Sequence, residues 1–188
     1  MARDTRSRMI QQALLLFRGQ GYAGTGIREV ANQAGVHRGV IYHHFPGGKS
    51  ELAEEVLALI DGIVGPVIAA VCANQDPVSA MHAIFAGAKM TMTGGGQPPG
   101  CPVAAVALGA GPDDAALLDA ARMIFRRWQG SFRDCLGRNG FDDTDATNLA
   151  ALLLAGLEGG LVLCRTEGGT APLDQVAAAL ERALVPAR

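Results

Sequence analysis

A chain of 188 residues is long enough to bury a sizeable core, as one large domain or two small ones. Hydrophobic residues make up 49% of it but aromatics only 5%, and no long alternating β-branched run occurs, which favours an all-helical fold. The net charge of −2 excludes a polycation that coats nucleic acid indiscriminately.

The charge is unevenly spread. Residues 1–60 carry seven Lys/Arg against five Asp/Glu, whereas residues 61–188 carry nine against thirteen. A mildly basic N-terminal part on an acidic body is compatible with local nucleic-acid contact. The cysteines Cys72, Cys101, Cys135 and Cys164 are far apart and form no C-x-x-C pair, so reduced, buried thiols are expected. The opening MARDTRSRM is basic but lacks the apolar segment of a secretory signal. The richest apolar stretch, Asn148 to Cys164, is interrupted by Glu158 and three glycines, which argues against a membrane span. A soluble, cytoplasmic protein without cofactor is the expectation.

In chain order, Met9, Ile10, Ala13, Leu14 and Phe17 fall at helical spacing, so a helix is expected from Asp4 to Gly19, ended by Gly19-Gln20-Gly21. A short helix follows from about Ile27 to Ala34. Gly35 makes a turn, and a second short helix covers His37 to His44 until Phe45-Pro46-Gly47-Gly48 stops it. A long helix from Lys49 to about Asn74 carries Gly65-Pro66, where it can bend. Further helices are expected at Pro77–Thr93, around Pro102–Leu108, and at about Asp113–Arg138, Asp142–Thr166 and Pro172–Leu184. The glycine run at 94–96 sits in a loop without a preceding strand or a Gly-Lys-Ser/Thr pattern, so it is no phosphate loop.

Residues Ile27 to Pro46 fit a helix-turn-helix. Ala31 sits where the two helices cross and a larger side chain would clash. Gly35, four residues later, takes the turn position where positive φ is easy only for glycine. Val36 and Ile41 lock the second helix against the first, and Ala31, Gly35 and Ile41 each answer a different packing demand. The second helix would lie in a DNA major groove with His37, Arg38, Gly39, Val40 and His43 facing outward.

At these residues the chain resembles a known family. The stretch GYAGTGIREVANQAGVHRGVIYHHFPGGKSEL is similar to the DNA-binding domain of TetR-family transcriptional repressors, over roughly residues 5–52. GCPVAAVALG (100–109), EGGLVLCR (158–165), APLDQVAAAL (171–180) and the Trp after Phe125 resemble the branch that includes the lincomycin-resistance repressor, as does the extra glycine before Lys49. The resemblance implies an all-α fold of about nine helices, with a DNA-binding domain at 1–50 and a ligand-binding and dimerisation domain at 51–188. His37 and Val40 depart from the small hydroxylated or polar residues frequent at those family positions, and Gly26 stands where a hydroxyl residue often follows Thr25. These departures bear on the operator sequence.

Chemistry assigns roles. Thr25 caps the first short helix and offers a hydroxyl or amide to phosphate. Arg28 reaches a phosphate or a base near the groove edge, Arg38 suits bidentate contact to guanine, and Val40 packs on a thymine methyl. The resemblance makes Tyr42 and His44 a phosphate-contacting pair and Lys49 a phosphate-binding lysine. Arg3, Arg6 and Arg8 are candidates for a minor-groove arm. Against a metal site, His43 and His44 diverge by about 100° on a helix, and no acidic or thiol ligand joins His37 and His44 locally. Tyr42 as a core residue is the alternative to phosphate contact, whereas Phe45 reads as core.

For the body, Phe85, Met90, Met92, Cys101, Val103, Met123, Phe125, Trp128 and Phe132 lie on helices that enclose the family's ligand pocket, with plain core as the alternative for each. His82 reads as a pocket or core histidine. Leu149, Leu153, Gly156, Leu157, Gly160, Leu161, Val176, Leu180 and Leu184 are expected at a two-fold four-helix dimer interface, or in an ordinary monomer core. The expected partners are therefore an operator in double-stranded DNA, a small-molecule inducer and a second copy of the chain. Cys101 at a helix start leaves open a ligand-independent or cysteine-redox-controlled regulator. An enzyme would need a polar constellation in the body, but the body holds one histidine, and the pairs Asp113-Asp114 and Asp142-Asp143 read as helix N-terminal charges.

Overall fold

The computed structural model describes residues 2–92 and 99–185. The glycine run at 94–96 and the side chains of Arg3 and Arg38 lie outside the described residues. Among those residues there are nine α-helices and no strand: α1 (Ala2–Gly24), α2 (Ile27–Gln33), α3 (Ile41–His44), α4 (Gly48–Asn74), α5 (Pro77–Met90), α6 (Pro102–Gly109), α7 (Ala115–Arg138), α8 (Asp143–Glu167) and α9 (Ala171–Ala183). Two short 3-10 turns, Arg38–Val40 and Pro112–Asp114, lead into α3 and α7.

Compact packing divides the chain into Met1–Gly62 with Gly100–Met123, and Ile63–Pro99 with Ile124–Arg188. This division differs from the one expected at residue 50, because α6 packs on α1 and brings the start of α7 with it.

In the first unit, Met9, Ala13 and Phe17 form the buried stripe of α1. The regular helix breaks at Gly21, whose φ of 83° is one that glycine adopts without strain. Tyr22 turns inward there and meets Phe17 edge-on at 5.5 Å. Both ends of the α6 segment are fixed to α1. Gly100 N–H donates to the Arg18 carbonyl at 2.9 Å, and Arg18 Nε donates back to the Gly100 carbonyl at 3.1 Å. At the other end a side chain on Gly109 would put its Cβ 2.8 Å from the Ala23 nitrogen, so only glycine permits the approach.

In the second unit, Asp76 caps α5 by accepting from Val78 N–H and Ser79 N–H, and Asp142 caps α8 by accepting from Asp145 N–H. Helix α5 is tied to α9 by Lys89, whose ammonium donates to both Asp174 carboxylate oxygens at 2.6 and 2.8 Å. His82, expected in a core or pocket, is exposed instead and meets Glu181 at 3.3 Å. It lies on the edge of α5 beside the charged face of α9, outside the apolar stripe.

Helices α4 and α8 are long and apolar enough to cross a bilayer by length and composition, with 18-residue windows of mean hydropathy 2.3 and 1.7. The more apolar of the two is α4, not the 148–164 stretch to which the sequence drew attention. Most of the α4 window lies outside the monomer core, with only 22% of it buried.

Candidate nucleic-acid interface

The helix-turn-helix forms where the sequence places it. Ala31 and Ile41 are buried at the crossing. Gly35 turns the chain at φ 64°, and Val36 N–H closes the turn by donating to the Ala31 carbonyl at 2.9 Å. The second helix is shorter than expected: a 3-10 turn over Arg38–Val40 feeds a single α-turn, Ile41–His44. His37 shapes its start by accepting the Gly39 N–H at Nδ1 (3.2 Å).

Packing Ile41 and Phe45 inward turns the other side of this segment to solvent. His37, Gly39, Tyr42 and His43 are exposed, and Val40 and His44 are half-buried. The His43 and His44 rings touch edge to face at 5.3 Å. Arg28 is exposed on α2. Tyr42, 58% exposed, is not a core residue.

Two assignments need correction. Thr25 is buried, its hydroxyl donates to the Gly21 carbonyl at 2.8 Å and its N–H to the Tyr22 carbonyl at 3.1 Å. The N-cap of α2 is Gly26, without a side-chain cap. The Gly21 break brings a free carbonyl within reach of the threonine, so neither Thr25 donor remains for a phosphate. Arg6 and Arg8 are no free arm either. Arg6 pairs with Glu55 at 2.8 Å and lies over the Phe45 ring at 4.9 Å, and Arg8 donates to the Ala34 carbonyl.

Lys49 stands at the start of α4, half-buried, with Nζ 4.1 Å above the centroid of the Tyr22 ring and 3.5 Å from the Ala23 carbonyl. Burial lowers its pKa, and the nearby Asp114 carboxylate opposes that shift. Asp114 is the residue that sequence reading undervalued. It accepts the Ser50 hydroxyl at 2.5 Å, the Tyr22 hydroxyl at 3.3 Å and the Gly111 N–H at 3.3 Å. These bonds, Ser50's foremost, hold its carboxyl below the ordinary range, while burial raises the Tyr22 phenol. No local pattern connects Asp114 to residues 64 and 92 positions away, so its helix-start position was the only signal.

The nine ligand candidates are divided between the two compact units. Cys101, Val103 and Met123 belong to the first unit and the other six to the second. Phe85, Met92, Val103, Trp128 and Phe132 are buried, and Cys101 and Phe125 half-buried. Met90 and Met123, 77% and 51% exposed, point away from the interior of the monomer. Trp128 meets Phe125 edge-on at 5.8 Å, and its buried Nε1 has no hydrogen-bond partner, a cost of about 1–3 kcal/mol. As for thiol chemistry, burial pushes Cys72 up to about 12 and raises Cys135, whose Sγ donates to the Gln75 carbonyl.

Six of the nine dimer candidates pack inside the chain. Leu153, Leu157, Gly160, Leu161, Leu180 and Leu184 are buried, and Leu149, Gly156 and Val176 half-buried. Gly156 and Gly160 make room for α9: a Cβ on the first would lie 2.9 Å from Leu180 Cδ1, and on the second 2.7 Å from Leu173 Cδ2. Both faces of α8 are apolar, so periodicity could not tell the inward one from the outward one. The outward side carries Leu152, Ala155, Gly159, Val162 and Leu163, all exposed, and Gly159 faces open space.

Comparison with known proteins accords with this geometry. A family model for bacterial regulatory proteins of the tetR family matches residues 9–56, and one for the C-terminal domain of LmrA/YxaF-like transcriptional regulators matches residues 77–179. The HTH-type regulator YxaF of Bacillus subtilis is 30% identical over 93% of this chain and 92% of its own length. LmrA of the same organism is 26% identical over 94% and 95%. A TetR transcriptional regulator from Legionella pneumophila shares the fold, with a TM-score of 0.82 at 21% identity over 93% of this chain and 94% of that one. A cysteine mutant of the TetR-family regulator CifR, solved with 26-base-pair operator DNA, gives 0.74 at 25% identity over 97% and 95%. With its helix-turn-helix and its LmrA/YxaF-like body, this chain belongs to the TetR family of DNA-binding transcriptional regulators, a family of soluble regulators rather than enzymes.

Proposed function

We propose that the protein is a cytoplasmic repressor that binds a palindromic operator as a homodimer and leaves it when a small apolar ligand occupies the body. The observation that carries the DNA part is the segment His37–His44, whose inner residue Ile41 is buried while His37, Gly39, Tyr42 and His43 stand exposed. Arg28 is exposed beside it on α2, and the roles assigned are base reading for Arg38 and phosphate contact for Lys49. Thr25 drops out as a phosphate ligand. The dimer part rests on the outward face of α8, Leu152 to Leu163, which is apolar, exposed and small enough at Gly159 for close helix approach. Ligand release is a population shift: a molecule that favours a dimer with wrongly spaced readers weakens operator binding in proportion to its differential affinity.

The test is fluorescence anisotropy on DNA from upstream of the protein's own gene and its neighbours, across a salt series. The expected result is tight, sequence-selective binding with a steep salt slope. Binding that is weak and equal on every DNA tested would overturn the reading.

A further inference from the structure

Trp128 is the chain's single tryptophan, 4% exposed, and lies on α7 between the buried Ile124 and Phe132. Among the described residues its Nε1 is the only buried side-chain nitrogen or oxygen without a hydrogen-bond partner. A phenylalanine would fill such a place without stranding a donor, so the indole N–H needs an acceptor from elsewhere. The described interior has little to offer. Its one buried polar side chain is Thr25, which belongs to the other compact unit, and the Cys135 thiol, two turns further along α7, is engaged with Gln75. A lone water at Nε1 would find no buried polar side chain of this unit to bond, whereas buried water is ordinarily held by two to four polar partners. A molecule with an apolar body and one acceptor atom satisfies the indole and brings no unmet polar group of its own.

We infer that the regulatory ligand is a neutral apolar molecule carrying a carbonyl or ether oxygen, and that this oxygen accepts a hydrogen bond from Trp128 Nε1. The inference rests on the proposal that the body senses a small molecule. It disfavours ammonium ligands and carboxylates, since the buried side chains of this unit include neither an acidic nor a basic group.

Two probes of equal skeleton test it: benzophenone, with a carbonyl between two rings, and diphenylmethane, with a methylene there. Binding is read by calorimetry and by the proton resonance of the indole N–H of the single tryptophan. The full-length protein is expected to bind benzophenone roughly three- to tenfold more tightly, the worth of one hydrogen bond. In Trp128→Phe the two probes become equal. A downfield shift of the Trp128 indole N–H proton resonance with the ketone and none with the hydrocarbon is expected too, and it holds the test open if the variant misfolds. Equal affinity of both probes for the wild type, or binding of neither, overturns the assignment. Operator affinity is measured separately with the ketone bound. Trp128-dependent binding that leaves operator affinity untouched keeps the subsite and defeats ligand release. Release that persists with equal strength in Trp128→Phe does the reverse.

Discussion

Lys49 is held in a place where several forces meet. Its ammonium sits over the Tyr22 ring, and the ring's hydroxyl is anchored on Asp114. In the proposed role it contributes charge and no base reading, so Lys49→Ala should weaken binding about equally on all sequences and shallow the salt slope by roughly one unit per subunit. Anisotropy across salt on matched and scrambled operators measures this. Arg38→Ala should instead cost about 1–3 kcal/mol and relax selection at one base pair, read by the same assay on an operator with each position changed. Unchanged selection would place another residue in the groove. Asp114 gives a pH prediction. Its folded pKa is depressed, so its stabilisation is present above the ordinary carboxylate value of about 3.9 and is lost as pH falls through the folded value. Asp114→Asn should therefore be less stable than wild type near neutrality, by about 1 kcal/mol for a half-exposed group. Denaturant titrations should show the gap closing below roughly pH 4.

At the scale of elements, the short reading helix and the long α8 differ in how far their residues disclose them. Ala31, Gly35 and Ile41 each answer one steric demand, and they sit where expected because the motif is local and its contacts are few residues apart. The start of the second helix was not legible: whether residues 38–40 form an α-turn or a 3-10 turn depends on small differences in backbone geometry that side-chain type does not report. For α8 the difficulty is two apolar faces on one helix. Leu153 and Leu157 face inward, while Leu152 and Val162 face out, and hydrophobicity is the same on both. The outward face yields its own prediction. Val162→Asp should leave the monomer fold and its thermal unfolding nearly unchanged, because Val162 is exposed. If the face joins two copies, a buried unpaired charge should weaken the dimer on the order of a hundredfold. Light scattering coupled to size exclusion would then report one chain where wild type reports two; two chains in the variant would remove α8 from the interface.

At the scale of the molecule, helix number, helix order and the position of the reader were legible because amphipathic spacing and Gly/Pro punctuation are local signals. What was not legible is what long-range packing decides: the bond from Tyr22 to Asp114, the exposure of Met90 and Met123, and the membership of α6. That membership bears on modular redesign. A splice at the first residues of α4 would treat the reader as a head separable from its body. Here such a splice would strip the head of Gly100, which pairs with Arg18, of Gly109, against which Ala23 rests, and of Asp114, which anchors Tyr22 and Ser50. An excised 1–62 fragment should accordingly show weak, non-cooperative melting by circular dichroism. A chimera that is to keep this operator preference has to carry two pieces of sequence, the second being residues 100–123. The heritable unit of DNA recognition in this protein is thus discontinuous in its gene.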